Sequence, residues 1–285
     1  MWFSARIAGV ALVVAALLAS CSPEKPDKRL GATYVGMGDS YVSGPGIAPV
    51  DGDSGACLRS KASYPALLAK EQSIERLTDV SCGGATTDQV LESVTGPAGV
   101  VGAQLDAVTS STRLVTVGIG GNDGNFYEGL FNSCIYPTIR STSGCLNFDK
   151  RQAPEILEAT RSKIAHALEA ISEKAPKAKI VLVGYIRILP DSGSCPELGL
   201  GRSLVTHGSS AMRQLEKTQR YAAKDAKATF VSLRPMSEGH DVCAGDDAWV
   251  NGLENSATDG VNLHPRPAAM KAVAEHLAAV LKRQG

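Results

Sequence analysis

The sequence has no excess of charge of either sign. Its 29 Lys and Arg residues balance 29 Asp and Glu residues over 285 positions. Proteins that bind nucleic acids or other polyanions carry an excess of basic residues, so the even balance gives no support for such a partner. We expect no nucleic-acid partner.

The motifs of several other enzyme classes are also missing. Gly36-Met-Gly38 begins like a dinucleotide fingerprint, but position 41, where the third glycine belongs, is Tyr41. A conventional α/β-hydrolase would carry GxSxG around its serine, and position 42 is Val42. The chain has no HExxH or Walker sequence, no CxxC pair and no close Cys/His cluster. We therefore expect neither a metal nor a cofactor.

The N-terminal segment reads as an export signal. Arg6 precedes an apolar stretch, residues 7–19, that is short for a membrane span. Leu-Ala-Ser-Cys21 then resembles a bacterial lipobox, which predicts a lipoprotein signal peptide over residues 1–20 and a lipidated Cys21. A polar, Pro-containing flexible tether is expected over residues 21–31. The alternative is an ordinary signal peptide with a coincidental cysteine.

Six of the seven cysteines remain once Cys21 is set aside. An even number in an exported chain indicates disulfides, although six cysteines allow 15 pairings and the sequence does not choose among them.

The whole sequence is 44% hydrophobic and 20% charged. This composition is typical of a single α/β domain with a large core. Short apolar or β-branched runs predict buried strands. They lie at residues 33–37, 77–80, 114–119, 179–184 and 229–232. Helical spacing of apolar residues marks 154–174 and the segment around Val273 to Leu281. This alternation predicts a parallel sheet covered on both faces.

Four small or polar residues follow these runs or precede a helix: Ser40, Gly84, Asn122 and His264. Taken singly, Ser40 and Gly84 also suit turns, and Asn122 suits an Asx turn or a helix cap. Together they favour one site, because the carboxyl ends of parallel strands share one edge of the sheet.

In order and spacing these blocks resemble those of the SGNH (GDSL) hydrolase family, in its secreted bacterial esterase/lipase form with three disulfides. The matching blocks are Gly38-Asp39-Ser40, Gly84, Gly120-Gly121-Asn122-Asp123 and His264, and the resemblance spans about residues 32 to 283. It implies a three-layer α/β/α sandwich with a mainly parallel five-stranded sheet over residues 32–285.

The resemblance also implies a serine esterase or lipase that hydrolyses carboxylic esters. Ser40 would attack the carbonyl, and His264 would act as its general base. The oxyanion hole would comprise the backbone N–H groups of Ser40 and Gly84 and the side-chain amide of Asn122. The disulfides implied by the same likeness are Cys57–Cys82, Cys134–Cys145 and Cys195–Cys243.

One position departs from the family pattern. Many members place Asp three residues before the histidine, and here that position is Val261. Asp259 is a candidate to orient His264 if a turn brings it closer, and a backbone carbonyl of Val261 or Asn262 is the alternative.

Two other functions stay open. One is a non-catalytic envelope lipoprotein that binds acyl or glycan ligands, and the other is an acyltransferase or thioesterase on the same fold. For the esterase we expect a small-molecule or lipid ester substrate and a monomer. Its location would be the cell envelope, with the membrane reached only through the anchor at Cys21, or outside the cell after secretion.

Overall fold

The computed structural model describes residues 1–2, 33–96 and 99–284. The predicted lipidation at Cys21 and the tether of residues 21–31 lie outside these residues, as does nearly all of the predicted signal peptide. Among the described residues, no helix combines the length and apolar character needed to cross a bilayer.

Five parallel strands form the central sheet, in the spatial order β2-β1-β5-β6-β7. Each coincides with a predicted strand to within one residue at either end. Their bounds are β1 Thr33–Gly38, β2 Arg76–Asp79, β5 Leu114–Gly118, β6 Lys179–Val183 and β7 Thr229–Val231. A separate antiparallel hairpin consists of β3 Val94–Gly96 and β4 Gly99–Val101. The order reverses after β2, so the carboxyl ends of β1 and β5 lie side by side at a switch point.

Helices connect the strands. The α-helices are α1 Ser40–Ser43, α2 Tyr64–Glu71, α3 Thr87–Leu91, α4 Phe126–Leu130, α5 Thr142–Asn147, α6 Ala153–Lys174, α7 Arg202–Asp225 and α8 Pro267–Gln284. Short 3₁₀ turns cover Gly52–Cys57, Gln104–Ala107, Asp123–Asn125, Pro196–Leu198 and Gly245–Asp247, and π turns cover Phe131–Ile135 and Phe148–Gln152.

The sheet separates two apolar layers because successive side chains of a strand point to opposite faces. Tyr34 and Leu114 belong to the layer that includes α2 and α8, whereas Val35 and Val115 belong to the layer that includes α3 and much of α6. All four side chains are buried. The predicted three-layer α/β/α sandwich is thus confirmed.

Three disulfides are present, Cys57–Cys82, Cys134–Cys145 and Cys195–Cys243. They are the pairs that the family resemblance implies. The first fixes the 3₁₀ turn Gly52–Cys57 against the segment that follows β2. The backbone N–H of Gly83 also donates to the carbonyl of Cys57 at 3.1 Å, so this disulfide supports the chain beside Gly84.

Candidate active site

Ser40 stands at the first position of α1, directly after β1. Gly38 ends the strand at φ 139°, where a Cβ would lie 2.3 Å from the carbonyl oxygen of Gly118. Only glycine allows this close passage of β1 past β5. Asp39 donates its N–H to the same Gly118 oxygen at 3.0 Å, and its carboxylate caps the turn by accepting from the Tyr41 N–H at 2.9 Å. The backbone on both sides of Ser40 is therefore fixed.

His264 reaches the Ser40 hydroxyl from the loop that leads into α8. Its Nε2 lies 2.8 Å from Ser40 Oγ, and its Nδ1 lies 2.7 Å from the backbone carbonyl oxygen of Asn262. A carbonyl oxygen only accepts, so Nδ1 carries the proton and Nε2 is left free to accept from Ser40. Burial lowers the pKa of His264, with the Asn262 hydrogen bond acting in the opposite direction. The neutral imidazole, which can act as a base, is therefore favoured.

The three groups considered for orienting His264 have different partners. Asn262 supplies the carbonyl that Nδ1 contacts. The carbonyl of Val261 accepts from the side-chain amide of Asn251 at 3.2 Å and from the backbone N–H of His264 at 3.3 Å, but it does not contact the imidazole. The carboxylate of Asp259 accepts from its neighbour Thr258 at 3.2 Å. Among the described residues, the imidazole of His264 thus hydrogen-bonds the Ser40 hydroxyl and the Asn262 carbonyl, and no carboxylate.

Gly84 and Asn122 lie beside each other at the carboxyl edge of the sheet. The side-chain amide of Asn122 donates to the carbonyl of Ala85 at 3.0 Å, which uses one of its two N–H groups. Gly84 has φ 76°, and a Cβ there would meet no atom within 4 Å. Within residues 33–96 and 99–284, no protein group accepts a hydrogen bond from the N–H of Ser40 or of Gly84.

A buried tyrosine that the sequence analysis did not identify connects two of the predicted blocks. The Tyr185 hydroxyl donates to Asp39 Oδ2 at 2.5 Å and accepts from the Gly121 N–H at 2.8 Å. Burial raises the pKa of Asp39 to about 7, and the hydrogen bond from Tyr185 opposes this rise. The position of Tyr185, two residues beyond β6, was the one available signal, because polar residues after parallel strands reach the site edge.

Two further contacts tie the blocks together. The carboxylate of Asp123 accepts from the Thr87 hydroxyl at 2.5 Å, and burial raises its pKa. The side-chain amide of Gln104 accepts from the Gly38 N–H at 2.7 Å and donates to the Gly38 carbonyl at 2.9 Å. Nothing in the local sequence marked Gln104, because its partner is 66 residues away.

Aromatic side chains pack beside the Ser40–His264 pair. Tyr41 lies 5.1 Å from His264 between ring centroids, and its hydroxyl donates to the carbonyl of Leu263 at 2.6 Å. Tyr41 also stacks on Tyr127 and meets Tyr185 edge-on, at centroid distances of 5.4 and 5.2 Å. Such pairs stabilise a fixed arrangement beyond their burial alone. The cluster packs the Ser40 turn and the His264 loop against β6.

Comparisons with known proteins identify the family of the chain. The model of the GDSL-like Lipase/Acylhydrolase family matches residues 37–272. The chain is 34% identical over 257 residues to "Lipase 2" of Streptomyces coelicolor, covering 87% of this chain and 85% of that protein. It is 31% identical to "Lipase" of Streptomyces rimosus, with 85% of each chain covered.

Solved structures show the same likeness. The extracellular lipase of Streptomyces rimosus superposes with a TM-score of 0.74 at 30% identity, covering 87% of this chain and 98% of that one. The phospholipase A1 of Streptomyces albidoflavus gives 0.73 at 28% identity, covering 88% and 98%. The chain therefore belongs to the GDSL-like lipase/acylhydrolase family and is a carboxylic ester hydrolase.

Proposed function

We propose that the protein hydrolyses acyl esters through a covalent intermediate on Ser40. The observation that carries the proposal is the 2.8 Å contact between Ser40 Oγ and His264 Nε2, made while Nδ1 is held by the Asn262 carbonyl. A serine hydroxyl is a weak nucleophile until an adjacent base removes its proton, and the contact with the His264 imidazole supports that role for His264.

The reaction has two halves. Ser40 Oγ attacks the ester carbonyl carbon while its proton passes to His264 Nε2. The tetrahedral intermediate collapses, the bond to the alcohol oxygen breaks, and the imidazolium returns the proton to that oxygen. Water then adds to the acyl-enzyme with His264 again as base, and the released acid regenerates the Ser40 hydroxyl.

The developing oxyanion would be bound by the N–H groups of Ser40 and Gly84 and by the second N–H of Asn122 Nδ2. Two observations support this role. No described protein group accepts from either backbone N–H, and the open space at Gly84 lets an acyl group approach the chain closely. Donors fixed before the reaction stabilise the transition state without reorganisation.

Lipid esters are the substrate class we propose. The matched relatives are named lipases, and the superposed structures include a phospholipase A1. An open cleft of about 430 Å³ lies between the 3₁₀ turn Gly52–Cys57 and β4, and Val100 and Val101 line it. The cleft is also lined by the charged residues Asp53, Arg59 and Asp106 and by none of the four proposed site residues, so the substrate class rests on the relatives rather than on this cleft.

Export is the second part of the proposal. Three disulfides are typical of proteins that fold in an oxidising compartment. We infer that the chain leaves the cytoplasm and is retained at the cell envelope by lipidation of Cys21. Mass spectrometry of the protein from its native membrane would show a diacylated N-terminal Cys21. A free N-terminus at another residue would contradict the anchor.

The catalytic proposal is tested by the hydrolysis of p-nitrophenyl esters of graded acyl length by the oxidised protein. We expect turnover by the wild type, with a dependence on chain length that maps the acyl pocket, and background rates for Ser40→Ala. Ser43→Ala is the matched control, because Ser43 lies on the same helix with a buried hydroxyl that has no partner among the described residues. Turnover that survives in Ser40→Ala would overturn the proposal.

A further inference from the structure

Tyr185 lies outside the four blocks that the family resemblance identifies, yet its hydroxyl contacts two of them. It donates to the Asp39 carboxylate at 2.5 Å, and Asp39 immediately precedes Ser40. It accepts from the N–H of Gly121 at 2.8 Å, and Gly121 immediately precedes Asn122. The Tyr185 hydroxyl oxygen thus hydrogen-bonds the residue before Ser40, the proposed nucleophile, and the residue before Asn122, the proposed side-chain donor of the oxyanion hole.

The surroundings hold this hydroxyl in one place. A Cβ at Gly121 would lie 2.9 Å from the Tyr185 oxygen and 2.1 Å from the ring of Tyr127, so the backbone of the Asn122 block is pressed against both side chains. The Tyr185 ring packs edge-on against Tyr41 at 5.2 Å and against Tyr127 at 5.2 Å. Tyr185 is 6% exposed and Asp39 is fully buried. Water therefore has little access to replace either hydrogen bond.

We propose that Tyr185 is a positioning residue that couples the Ser40 turn to the Asn122 loop through its hydroxyl. The coupling runs from the Tyr41 N–H to the Asp39 carboxylate, from there to the Tyr185 hydroxyl, and on to the Gly121 N–H. It fixes the separation between the attacking oxygen and the amide that receives the oxyanion. A misplacement of about 1 Å at such a pair lowers the rate of the chemical step by up to about 100-fold, and we expect it to affect substrate binding much less.

The inference rests on the proposed ester hydrolysis and is tested with the same assay. In Tyr185→Phe the ring stays and the hydroxyl is lost, so both hydrogen bonds disappear together. We expect kcat for a p-nitrophenyl ester to fall at least about tenfold with KM changed less than about twofold.

Tyr127→Phe is the matched control. Tyr127 belongs to the same aromatic cluster and is 4% exposed, but its hydroxyl has no hydrogen-bond partner among the described residues. This variant should keep kcat within about twofold of the wild type. Equal losses in Tyr185→Phe and Tyr127→Phe would overturn the coupling, because removal of a buried hydroxyl from the cluster would then suffice.

A pH titration of Asp39 gives a readout that loss of packing would not move. The Tyr185 hydrogen bond holds down the pKa of Asp39, so its removal should raise that pKa, which the pH-dependent ¹³C chemical shift of the Asp39 carboxyl carbon reports. Tyr127→Phe should keep the wild-type titration of Asp39. An unshifted Asp39 pKa in Tyr185→Phe would contradict the proposal. The groups that bear on Asp39 are Tyr41, Tyr64, Asp123, Tyr127 and Tyr185.

A double-mutant cycle keeps the test decisive if Tyr185→Phe is less stable. All rates are measured well below each variant's Tm. In an Asp39→Ala background, which removes the acceptor of the Tyr185 hydroxyl, the loss caused by Tyr185→Phe should shrink severalfold, because the Asp39–Tyr185 hydrogen bond is already absent. Additive losses would overturn the coupling. Absence of ester turnover in the wild type would instead refute the proposed function itself, so the two failures are distinguishable.

Discussion

Ser40 and His264 meet at 2.8 Å, yet the structure holds them in different ways. The Ser40 turn is fixed by buried side chains. Asp39 caps it, and the side-chain amide of Gln104 hydrogen-bonds both the N–H and the carbonyl of Gly38. The His264 loop is fixed largely through backbone carbonyls. His264 Nδ1 contacts the carbonyl of Asn262, and the Tyr41 hydroxyl contacts that of Leu263.

The difference shows that a histidine can be oriented without a carboxylate partner. A carbonyl oxygen accepts from Nδ1 as a carboxylate does and selects the same tautomer, but it carries no full negative charge to stabilise the imidazolium. Burial then lowers the pKa of His264 with no adjacent carboxylate to oppose it. The imidazole of His264, the proposed base, is therefore expected to stay neutral at pH values where an exposed histidine would begin to protonate.

The largest expected effect is on the His264 side of the comparison. His264→Ala removes the base while Ser40 keeps its turn, so kcat/KM for a p-nitrophenyl ester should fall by about 10⁴-fold or more. His276→Ala is a suitable control because His276 lies within α8 and forms none of the contacts described for Ser40 and His264. A loss below about tenfold in His264→Ala would contradict its role as general base.

The next effect concerns the proposed oxyanion hole. Asn122→Ala deletes a side-chain donor without altering the Ser40–His264 contact. We expect kcat to fall by about 10²- to 10³-fold with a small change in KM, because the donor acts mainly in the transition state. Asn132→Ala, in the neighbouring π turn, should stay close to the wild type. A change in KM alone would assign Asn122 to substrate binding instead.

Removal of the Cys57–Cys82 disulfide, which lies next to Gly84, should mainly lower the stability of the fold. Cys57 and Cys82 are 25 residues apart, and replacing both by Ser should lower the free energy of unfolding by about 3.5 kcal/mol in the loop-entropy model. Cys134 and Cys145 are 11 apart, so their replacement should cost about 2.8 kcal/mol. Urea unfolding measures both. A larger loss for the shorter loop would show that native contacts outweigh chain entropy.

The smallest effect sharpens the comparison most. Asp259 is the carboxylate that the sequence suggests as a partner of His264, but its side chain accepts a hydrogen bond from the Thr258 hydroxyl. Asp259→Ala should therefore keep kcat/KM within about twofold of the wild type. A loss that approaches that of His264→Ala would mean that a carboxylate orients the histidine during turnover.

Much of the fold was predictable because its signals are local. The five buried strands stand out as short apolar runs, and each was found within one residue of its expected ends. Helix α7 was missed, because part of its buried face consists of small residues such as Gly208, Ser209 and Ala211, which give little apolar periodicity. The hairpin of β3 and β4 was missed too. Its strands are three residues long and largely exposed, so neither alternation nor a buried run marks them.

The candidate site likewise contains residues that have a local sequence signal and residues that have none. Ser40, Gly84, Asn122 and His264 were proposed from the sequence because each follows a strand-like run or precedes a helix and together they resemble the family's blocks. Their supporting contacts could not be proposed in this way. Gln104 reaches Gly38 across 66 positions and Tyr185 reaches Asp39 across 146, and no local pattern encodes such partners. The choice of the Asn262 carbonyl over Asp259 depended on loop geometry, including Leu263 at φ 55°.

The most direct test of the account is a crystal structure of the protein after inactivation by a p-nitrophenyl alkylphosphonate. The account predicts phosphorus bonded to Ser40 Oγ and a phosphoryl oxygen within hydrogen-bond distance of the N–H groups of Ser40 and Gly84 and of Asn122 Nδ2. His264 Nδ1 would remain on the Asn262 carbonyl. An adduct on another residue, or a carboxylate in contact with Nδ1, would contradict it.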